Sequence, residues 1–241
     1  MTSVRALESP PANKRRFVRE MFSDIAPRYD LLNRVLSLAI DRSWRRRALA
    51  RLGWERNPSG TYLDACAGTL DLTQTLLRTA GFRGRVLATD FALPMLHRGR
   101  TKTRGEAASL AAADTVELPL RAGSIDGAVV GFGLRNLESP PAGLAELARV
   151  LKPGARLVIL DFMTPTNPVM RGLYLFYFKR ILPVVGRLVS GHPEAYTYLP
   201  ESVDQFPPPQ TLVQWLGKAG LTDCGIETLS AGIAAITWGA R

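Results

Sequence analysis

The sequence predicts an α/β fold in which helices cover both faces of a mostly parallel sheet. Short apolar runs alternate with helical segments between residues 61 and 162, which is the pattern of parallel strands joined by crossover helices. Two further apolar runs near the end of the chain predict a terminal hairpin. With 241 residues, 46% of them hydrophobic, the chain can bury the core of one such domain.

The elements follow in order along the chain. Helical periodicity extends from about Arg16 to Leu52 and breaks at Ala26-Pro27, because proline cannot continue a helix. The predicted strands are 61–65, 85–89, 107–111, 127–132, 155–162, 222–228 and 232–238. The predicted helices are 71–79, 93–104, 140–151 and 210–220. Gly154 is expected to end the third of these helices before its strand begins.

Residues 164–208 interrupt the alternation. They contain many prolines and an aromatic stretch, Leu173 to Phe178, followed by Lys179-Arg180. The stretch is too short to span a bilayer, which takes about 20 residues, so it is an amphipathic helix, a lid over an apolar substrate, or core. We expect one domain over residues 16–241, with helices 16–52 and insertion 164–208 forming a substrate cap, behind a flexible tail, 1–15.

The net charge of +10 calls for a physical reason. Basic residues cluster at 14–16, 45–47 and 179–180, which fits an anionic membrane surface, an acidic substrate or an ordinary basic surface. No nucleic-acid-binding signature accompanies them, so nucleic acid is not an expected partner. Two cysteines and two histidines make neither a disulfide framework nor a metal site. With no secretory signal visible, cytoplasmic residence is expected.

The segment Tyr62 to Asp71 carries the chemistry. An apolar strand, 61–65, ends at a turn with the single glycine Gly68, and a helical pattern follows. A dinucleotide site needs three glycines there, because the backbone must approach a pyrophosphate closely. A turn with one glycine fits S-adenosylmethionine (SAM), which has a ribose and an adenine but no phosphate.

Acidic residues stand at or near the ends of three predicted strands, where ligands of open α/β sheets bind. Asp90 follows the glycine turn by about 20 residues and would accept hydrogen bonds from the ribose hydroxyls. Asp114 could accept one from the adenine amino group. Asp64 or Asp71 could face the positively charged methionine end.

Several segments resemble the UbiE/MenG family of ubiquinone and menaquinone C-methyltransferases. The specific ones are Tyr29-Asp30-Leu31-Leu32-Asn33 and Phe132-Gly133-Leu134-Arg135-Asn136. The resemblance covers about residues 16 to 238 and continues through segments 22–33, 37–44, 63–73, 149–154, 196–203 and 230–232.

The resemblance implies a class I SAM-dependent methyltransferase fold, with seven strands and an antiparallel last strand. The family methylates a ring carbon of a polyprenylated hydroquinone. Carried over, the cofactor site comprises Asp64, Gly68, Thr69, Asp71, Asp90, Phe91, Asp114 and Thr115. The catalytic pocket comprises Tyr29, Asn33, Arg135 and Asn136.

The chain departs from the family at three places. Leu70 replaces a glycine in the turn, and its side chain could restrict the approach of the cofactor. Asp41 precedes Arg42-Ser43-Trp44 where the family often has histidine. The fifth strand ends Asp161-Phe162-Met163 where the family often has Glu-Phe-Ser. Two other interpretations stay open: a methyltransferase acting on another aromatic or lipid acceptor, and a non-catalytic scaffold.

The chemistry requires a ring carbon made nucleophilic by ionising the adjacent phenol, whose pKa is about 10. Arg135 would favour the phenolate as a permanent cation. Tyr196, Tyr198, His192 or water would take the proton. Because such a quinol resides in the membrane, the basic clusters would hold the protein at the inner face of an anionic bilayer. The segment 168–190 would then cover the prenyl tail, and an exposed 173–178 stretch could equally form a homodimer interface.

Overall fold

The computed structural model describes residues 14–37, 40–177, 180 and 193–241. Its strands form one sheet in the order β3-β2-β1-β4-β5-β7-β6. Their bounds are β1 (Thr61–Ala65), β2 (Arg85–Asp90), β3 (Ala108–Ala112), β4 (Ile125–Gly131), β5 (Leu151–Phe162), β6 (Thr222–Leu229) and β7 (Ala234–Ala240). Strand β7 is antiparallel to both of its neighbours, and β1 to β5 pair in parallel. The predicted fold class is confirmed.

The helices lie close to their predicted positions. Their bounds are α1 (Lys14–Ile25), α2 (Tyr29–Ser37), α3 (Asp41–Leu52), α4 (Asp71–Leu77), α5 (Leu93–Gly99), α6 (Pro140–Val150), α7 (Pro168–Phe176), α8 (Pro193–Asp204) and α9 (Pro209–Lys218). A short 3-10 turn, Ala26–Arg28, separates α1 from α2 at the predicted break. The predicted helix 93–104 ends earlier, at Gly99, and continues as a 3-10 turn.

The core lies on both faces of the sheet because neighbouring strand residues point to opposite sides. On one face, Leu63 and Leu157 pack with helices α6 and α9. On the other face, Tyr62 and Val158 pack with α3. Burial on both faces explains why these strands read as continuous apolar runs in the sequence.

Gly154 does not end a helix, contrary to the sequence-based expectation. Helix α6 ends at Val150 and β5 begins at the next residue. The pairing of β5 with β4 shifts register here, and Gly154 adopts a φ of +78°. The Leu-Lys-Pro-Gly segment is therefore an irregular start to the strand, where glycine relieves the strain of a left-handed backbone.

Part of the predicted cap is described. Helix α7 buries Tyr174 against Val203 of α8 and Phe162 of β5. The opposite side of α7 exposes Val169, Leu173 and Phe176. The aromatic stretch therefore forms an amphipathic helix up to Phe176, and the rest of the basic-aromatic segment, 178–179 and 181–192, lies outside the described residues.

Candidate active site

The glycine turn follows β1 and has an unusual backbone. Cys66, Gly68 and Leu70 adopt positive φ values of 55°, 53° and 67°. A side chain at Gly68 would place its Cβ 3.4 Å from Met95 Cε and 3.9 Å from Tyr29 Cε1. Both are ordinary contact distances, so the glycine is required chiefly by its left-handed backbone, and its lack of a side chain leaves the space beside Tyr29 and Met95 unfilled.

Leu70 does not fill that space. Its side chain is fully buried in a small cluster with Ala88 and Leu96. Gly99 makes room for it, because a Cβ at Gly99 would lie 2.6 Å from Leu70 Cγ. The leucine that replaces the family's glycine points into the core, so the expected restriction on the cofactor does not arise from its side chain.

Asp90 closes the turn from the end of β2. Its Oδ2 accepts a hydrogen bond from the Gly68 N–H at 2.9 Å, and its Oδ1 accepts one from the Ala92 N–H at 2.8 Å. Burial raises the pKa of Asp90 to about 6, and these backbone N–H groups oppose the shift. The Phe91 N–H is a third backbone donor to this carboxylate, which leaves an oxygen lone pair that could accept a ribose hydroxyl.

Asp64 lies deeper, at 1% exposure. Its Oδ2 accepts hydrogen bonds from the Thr73 N–H at 3.0 Å and the Thr73 hydroxyl at 2.6 Å. Its Oδ1 is buried without a hydrogen-bond partner among the described residues. Burial raises the pKa of Asp64 to about 7. An orphaned carboxylate oxygen beside a glycine turn matches the needs of an ammonium group.

Asp114 and Thr115 follow β3. Asp114 Oδ2 forms an ion pair with Arg15 Nε at 2.8 Å, and its Oδ1 accepts the Val116 N–H. Thr115 is buried, with its hydroxyl 3.3 Å from the Cys66 sulfur. Helix α1 therefore covers the position expected for adenine. Phe91 lies along a neighbouring groove with Leu93 and residues of α1.

Thr69 and Asp71 belong to an ion-pair network beside the glycine turn. Asp71 binds Lys102 at 2.6 Å and Arg45 at 3.4 Å. The Thr69 hydroxyl donates to Asp30 at 2.6 Å, and Lys102 also binds Asp30 at 2.8 Å. The network joins α2 to the glycine turn, a supporting role that the sequence did not reveal, because Lys102 and Asp30 carry no local signal of their distant contacts.

A cavity lies between α1, α2, α8 and the ends of β4 and β5. Its apolar lining residues are Met21, Phe22, Ile25, Phe132, Phe162 and Leu199. Its polar lining residues are Tyr29, Asn33, Ser37, Asp41, Arg45, Arg135 and Tyr198. We call this space the cap cavity. It brings together three of the four predicted catalytic residues.

Tyr29 connects the cap cavity to the glycine turn. Its ring lies over Gly68 and packs edge-on to Phe22, with centroids 6.0 Å apart. Burial raises the pKa of Tyr29, and a hydrogen bond with the Asn33 side chain opposes the shift. The sequence placed Tyr29 and Asn33 in one helix. In the structure Tyr29 borders both the glycine turn and the cap cavity, and Asn33 lines the cap cavity.

Arg135 is held in a buried ion pair. Its Nη1 lies 2.5 Å from Asp161 Oδ1 and donates also to the Phe132 carbonyl. Its guanidinium lies 5.6 Å from the centre of the Phe162 ring. Burial raises the pKa of Asp161 and the Arg135 charge opposes that shift. Asp161 is thus the partner that fixes the arginine at the cavity wall.

Asn136 does not line the cap cavity but contacts a residue that does. Its side chain donates to the Phe132 carbonyl and accepts a hydrogen bond from the Tyr198 hydroxyl at 3.1 Å. Tyr198 lines the cavity, and burial raises its pKa to about 12. The other two proton acceptors considered, His192 and the Tyr196 side chain, lie outside the described residues.

Two of the three basic clusters are used inside the protein. Lys14 Nζ donates to the carbonyls of Arg135 and Leu137, at 3.0 and 2.7 Å. Arg45 is buried between Asp41 and Asp71. The clusters are therefore not uniform surface patches, and the basic charge of 14–16 and 45–47 is only partly available to a partner.

Comparison with known proteins gives a family and a fold. The model of the ubiE/COQ5 methyltransferase family matches residues 11–241. A demethylmenaquinone methyltransferase of Thermus thermophilus is 44% identical over 92% of this chain and all of its own length. A ubiquinone/menaquinone biosynthesis C-methyltransferase UbiE of Citrifermentans bemidjiense is 40% identical, covering 93% of this chain and 96% of its own.

Solved structures share the fold at low identity. The [4+2]-cyclase SpnF has a TM-score of 0.70 at 14% identity and covers 96% of this chain and 97% of its own. A SAM-dependent methyltransferase of Thermotoga maritima, a possible histamine N-methyltransferase, has a TM-score of 0.66 at 15% identity. The match covers 92% of this chain and 99% of that one. These two structures bear on the architecture alone.

Proposed function

Because this chain belongs to the ubiE/COQ5 methyltransferase family, we propose that it transfers a methyl group from SAM to a ring carbon of a polyprenylated hydroquinone. The chain is a SAM-dependent methyltransferase of quinone biosynthesis by its family and its relatives, which are named for demethylmenaquinone or for both quinones. Demethylmenaquinol and the ubiquinol precursor are therefore the two acceptors to compare.

The single observation that carries the proposal is the position of Tyr29. It borders both the space above Gly68 and the cap cavity. SAM supplies an electrophilic methyl group, and a planar apolar acceptor in the cap cavity would meet that methyl group beside Tyr29. The residues present suit SAM: Gly68 leaves the turn open, Asp90 has acceptor capacity for a ribose, and Asp64 Oδ1 lacks a partner among the described residues.

The cavity walls suit an aromatic ring. Phe132 and Phe162 lie with their ring centroids 4.7 Å apart, and Phe22 and Tyr29 form a second aromatic pair. Aromatic rings stabilise one another by about 1 kcal/mol beyond the burial of their area. Burying a quinol here would also exclude water from the reacting carbon.

Arg135 acts on the ring oxygen in this proposal. Asp161 and the Phe132 carbonyl hold Nη1, which fixes the plane of the guanidinium. Since Asp161 compensates its charge, Arg135 would act through a directed hydrogen bond to the oxygen more than through a net positive field. Such a bond favours the phenolate and so raises the electron density of the adjacent ring carbon.

Membrane association forms part of the proposal, because a polyprenyl quinol is a membrane lipid. No helix within the described residues is long and apolar enough to cross a bilayer. Helix α7 instead presents Val169, Leu173 and Phe176 on one side, at exposures of 69%, 60% and 60%. We propose that this face enters the lipid interface and that Arg171 and Arg180, both exposed, meet anionic headgroups.

The proposal is tested by two measurements on the purified chain. Thermal unfolding with SAM should show a ligand-dependent rise in Tm, and the absence of a rise at millimolar SAM would favour a non-catalytic scaffold. Methyl transfer from labelled SAM should then be compared for demethylmenaquinol and a ubiquinol precursor, both kept reduced. Methylation of an unrelated aromatic or lipid acceptor, with neither quinol a substrate, would contradict the proposal.

A further inference from the structure

We propose that Asp41 is the proton acceptor for a ring hydroxyl of the acceptor molecule, an inference that rests on the proposed function. Asp41 begins α3 and lines the cap cavity together with Tyr29 and Arg135. Its side chain is 9% exposed. A carboxylate beside the aromatic residues of this cavity is costly to bury unless it is paired or hydrogen-bonded.

The local contacts fix the orientation of the Asp41 carboxyl group. Arg45 places Nε and Nη2 both 3.1 Å from Oδ2. The Ser37 hydroxyl lies 2.8 Å from Oδ1 and 2.6 Å from the Asn33 carbonyl, and its single proton is shared between these two acceptors. Arg45 is itself held by Asp71 and lies over the Phe132 ring, 5.4 Å from its centre. Because a carboxylate oxygen can accept two hydrogen bonds, Oδ1 retains capacity for a hydroxyl in the cavity.

The other titratable groups at the cavity are poorer acceptors. Tyr29 and Tyr198 are phenols whose burial raises their pKa, so neither ionises readily near neutral pH. Asp161 is committed to Arg135. Among the described residues that line the cap cavity, Asp41 is the carboxylate.

The surroundings of Asp41 are defined on each side. Arg45 faces it from the same helix, Ser37 from α2, and Asp71 reaches it through Arg45 from α4. Tyr29, Arg135 and Tyr198 face the shared cavity. In the proposed step both residues serve the hydroxyl next to the methylated carbon. Asp41 accepts its proton, and Arg135 donates a hydrogen bond to the oxygen that remains.

The proton balance of the step is complete. The hydroxyl O–H bond breaks and its proton moves to Asp41 Oδ1, leaving an electron pair that conjugates into the ring. The ring carbon then bonds to the methyl group as the methyl carbon–sulfur bond breaks. The ring C–H proton leaves to water, the Asp41 proton returns to the oxygen, and the net release is one proton.

Binding without turnover provides the first test. A short-chain naphthohydroquinone and its dimethyl ether are titrated under anaerobic conditions in the absence of SAM, with tryptophan fluorescence as the signal. We expect the wild type to bind the hydroquinone about tenfold more tightly than the ether, since hydrogen bonds to charged groups are stronger than neutral ones. Asp41→Asn and Asp41→Ala should reduce this preference to less than about threefold.

Turnover with a change of base provides the second test. Asp41→Asn should lower kcat by about 100-fold or more, the range for loss of a general base, with SAM affinity unchanged. Asp41→His should recover activity relative to Asp41→Asn and show a loss of rate below about pH 6.5, the ordinary histidine pKa. A purely structural role for Asp41 would not move the pH profile.

Asp126→Asn is the matched control. Asp126 pairs with Lys152 at 2.8 Å at the start of β4, at the opposite end of the sheet. It should change neither ligand preference nor kcat. If folded Asp41→Asn keeps both the preference for the hydroquinone and the wild-type kcat, the inference is overturned. Failure of the proposed function would appear differently: no transfer by the wild type, with the hydroquinone preference still dependent on Asp41.

Discussion

The Arg135 guanidinium and the Asp161 carboxylate form a buried ion pair, with 2.5 Å between Nη1 and Oδ1 and side-chain exposures of 5% and 0%. Removing one member leaves the other buried and unpaired, which costs about 3–5 kcal/mol of unfolding free energy. We therefore expect Arg135→Ala to abolish turnover and also to destabilise the fold, as measured by urea unfolding. SAM binding by the folded fraction should be nearly unchanged.

Arg135→Leu combined with Asp161→Leu separates the two effects. Because it removes both charges, the double variant should recover most of the stability lost in Arg135→Ala while remaining inactive. An Arg135→Ala variant as stable as the wild type would show that the pair is not energetically coupled. Turnover that survives in Arg135→Ala would show that Arg135 takes no part in the reaction.

Leu70 combines a left-handed backbone with a fully buried side chain. Leu70→Ala loses about 2–5 kcal/mol of burial and keeps the strain, whereas Leu70→Gly loses similar burial but relieves about 1–2 kcal/mol of strain. We expect both to be less stable than the wild type, with Leu70→Ala no more stable than Leu70→Gly. SAM affinity by calorimetry should change less than about twofold in folded protein, since the side chain points into the core. A large gain in affinity for Leu70→Gly would contradict this.

Cofactor binding should depend on pH through Asp90 and Asp64. Burial raises their pKa values from 3.8 to about 6 and about 7. Their contribution to the stability of the free protein is therefore full below about pH 4 and is lost as the pH rises through 6 to 7. Hydroxyl and ammonium donors of SAM favour the ionised forms, so affinity should rise with pH and level off above about pH 7. It should fall by up to about tenfold per unit between about pH 7 and 6, where one carboxylate must lose a proton, and by up to about 100-fold per unit below about pH 6, where both must.

Calorimetry in buffers of different ionisation enthalpy measures this directly, as protons released when SAM binds near pH 5.5. Asp90→Asn should weaken binding and flatten part of the pH dependence. Proton release that is unchanged in Asp90→Asn and in Asp64→Asn would exclude both carboxylates as the source.

The exposed face of α7 should control membrane binding. Replacing Val169, Leu173 and Phe176 together by serine removes several kcal/mol of potential burial, at about 1.5–3 kcal/mol for a fully buried side chain. Vesicle sedimentation should show at least about 30-fold weaker binding to anionic liposomes. Leu93→Ser, which alters an exposed leucine outside α7, should have little effect. Vesicle binding that changes neither with the triple substitution nor with added salt would contradict the proposal.

The fold could be predicted from the sequence because the apolar runs of the strands and the periodicity of the helices are both local patterns. The strand between Thr61 and Ala65 was predicted with its observed bounds, and the predicted end of α6 was one residue too late. Gly154 misled because a glycine after an apparent helix usually marks its end, whereas here it serves a register shift between β4 and β5. That shift depends on a partner strand about 25 residues away, which no local pattern records.

The site was predictable where the chemistry sits next to a recognisable turn. Asp90, Gly68, Tyr29 and Arg135 could be named from motifs, and the structure brings Asp90 to Gly68 and Tyr29 above it. The partners of these residues could not be named. Asp161 and Asp41 stand out in the sequence only as departures from the family, and Lys102 does not stand out at all, because an isolated acid or lysine is usually at the surface. Their contacts with Arg135, Ser37 and Asp71 come from other elements.

The most direct test of the central claim is the fate of the methyl group when wild-type protein is supplied with methyl-labelled SAM and reduced demethylmenaquinol in liposomes. If the SAM turn and the cap cavity meet at Tyr29, the label should appear on a ring carbon of the quinol, at a stoichiometry matching the S-adenosylhomocysteine formed. Label on a ring oxygen, or no label in the quinol despite demonstrated SAM binding, would contradict the account.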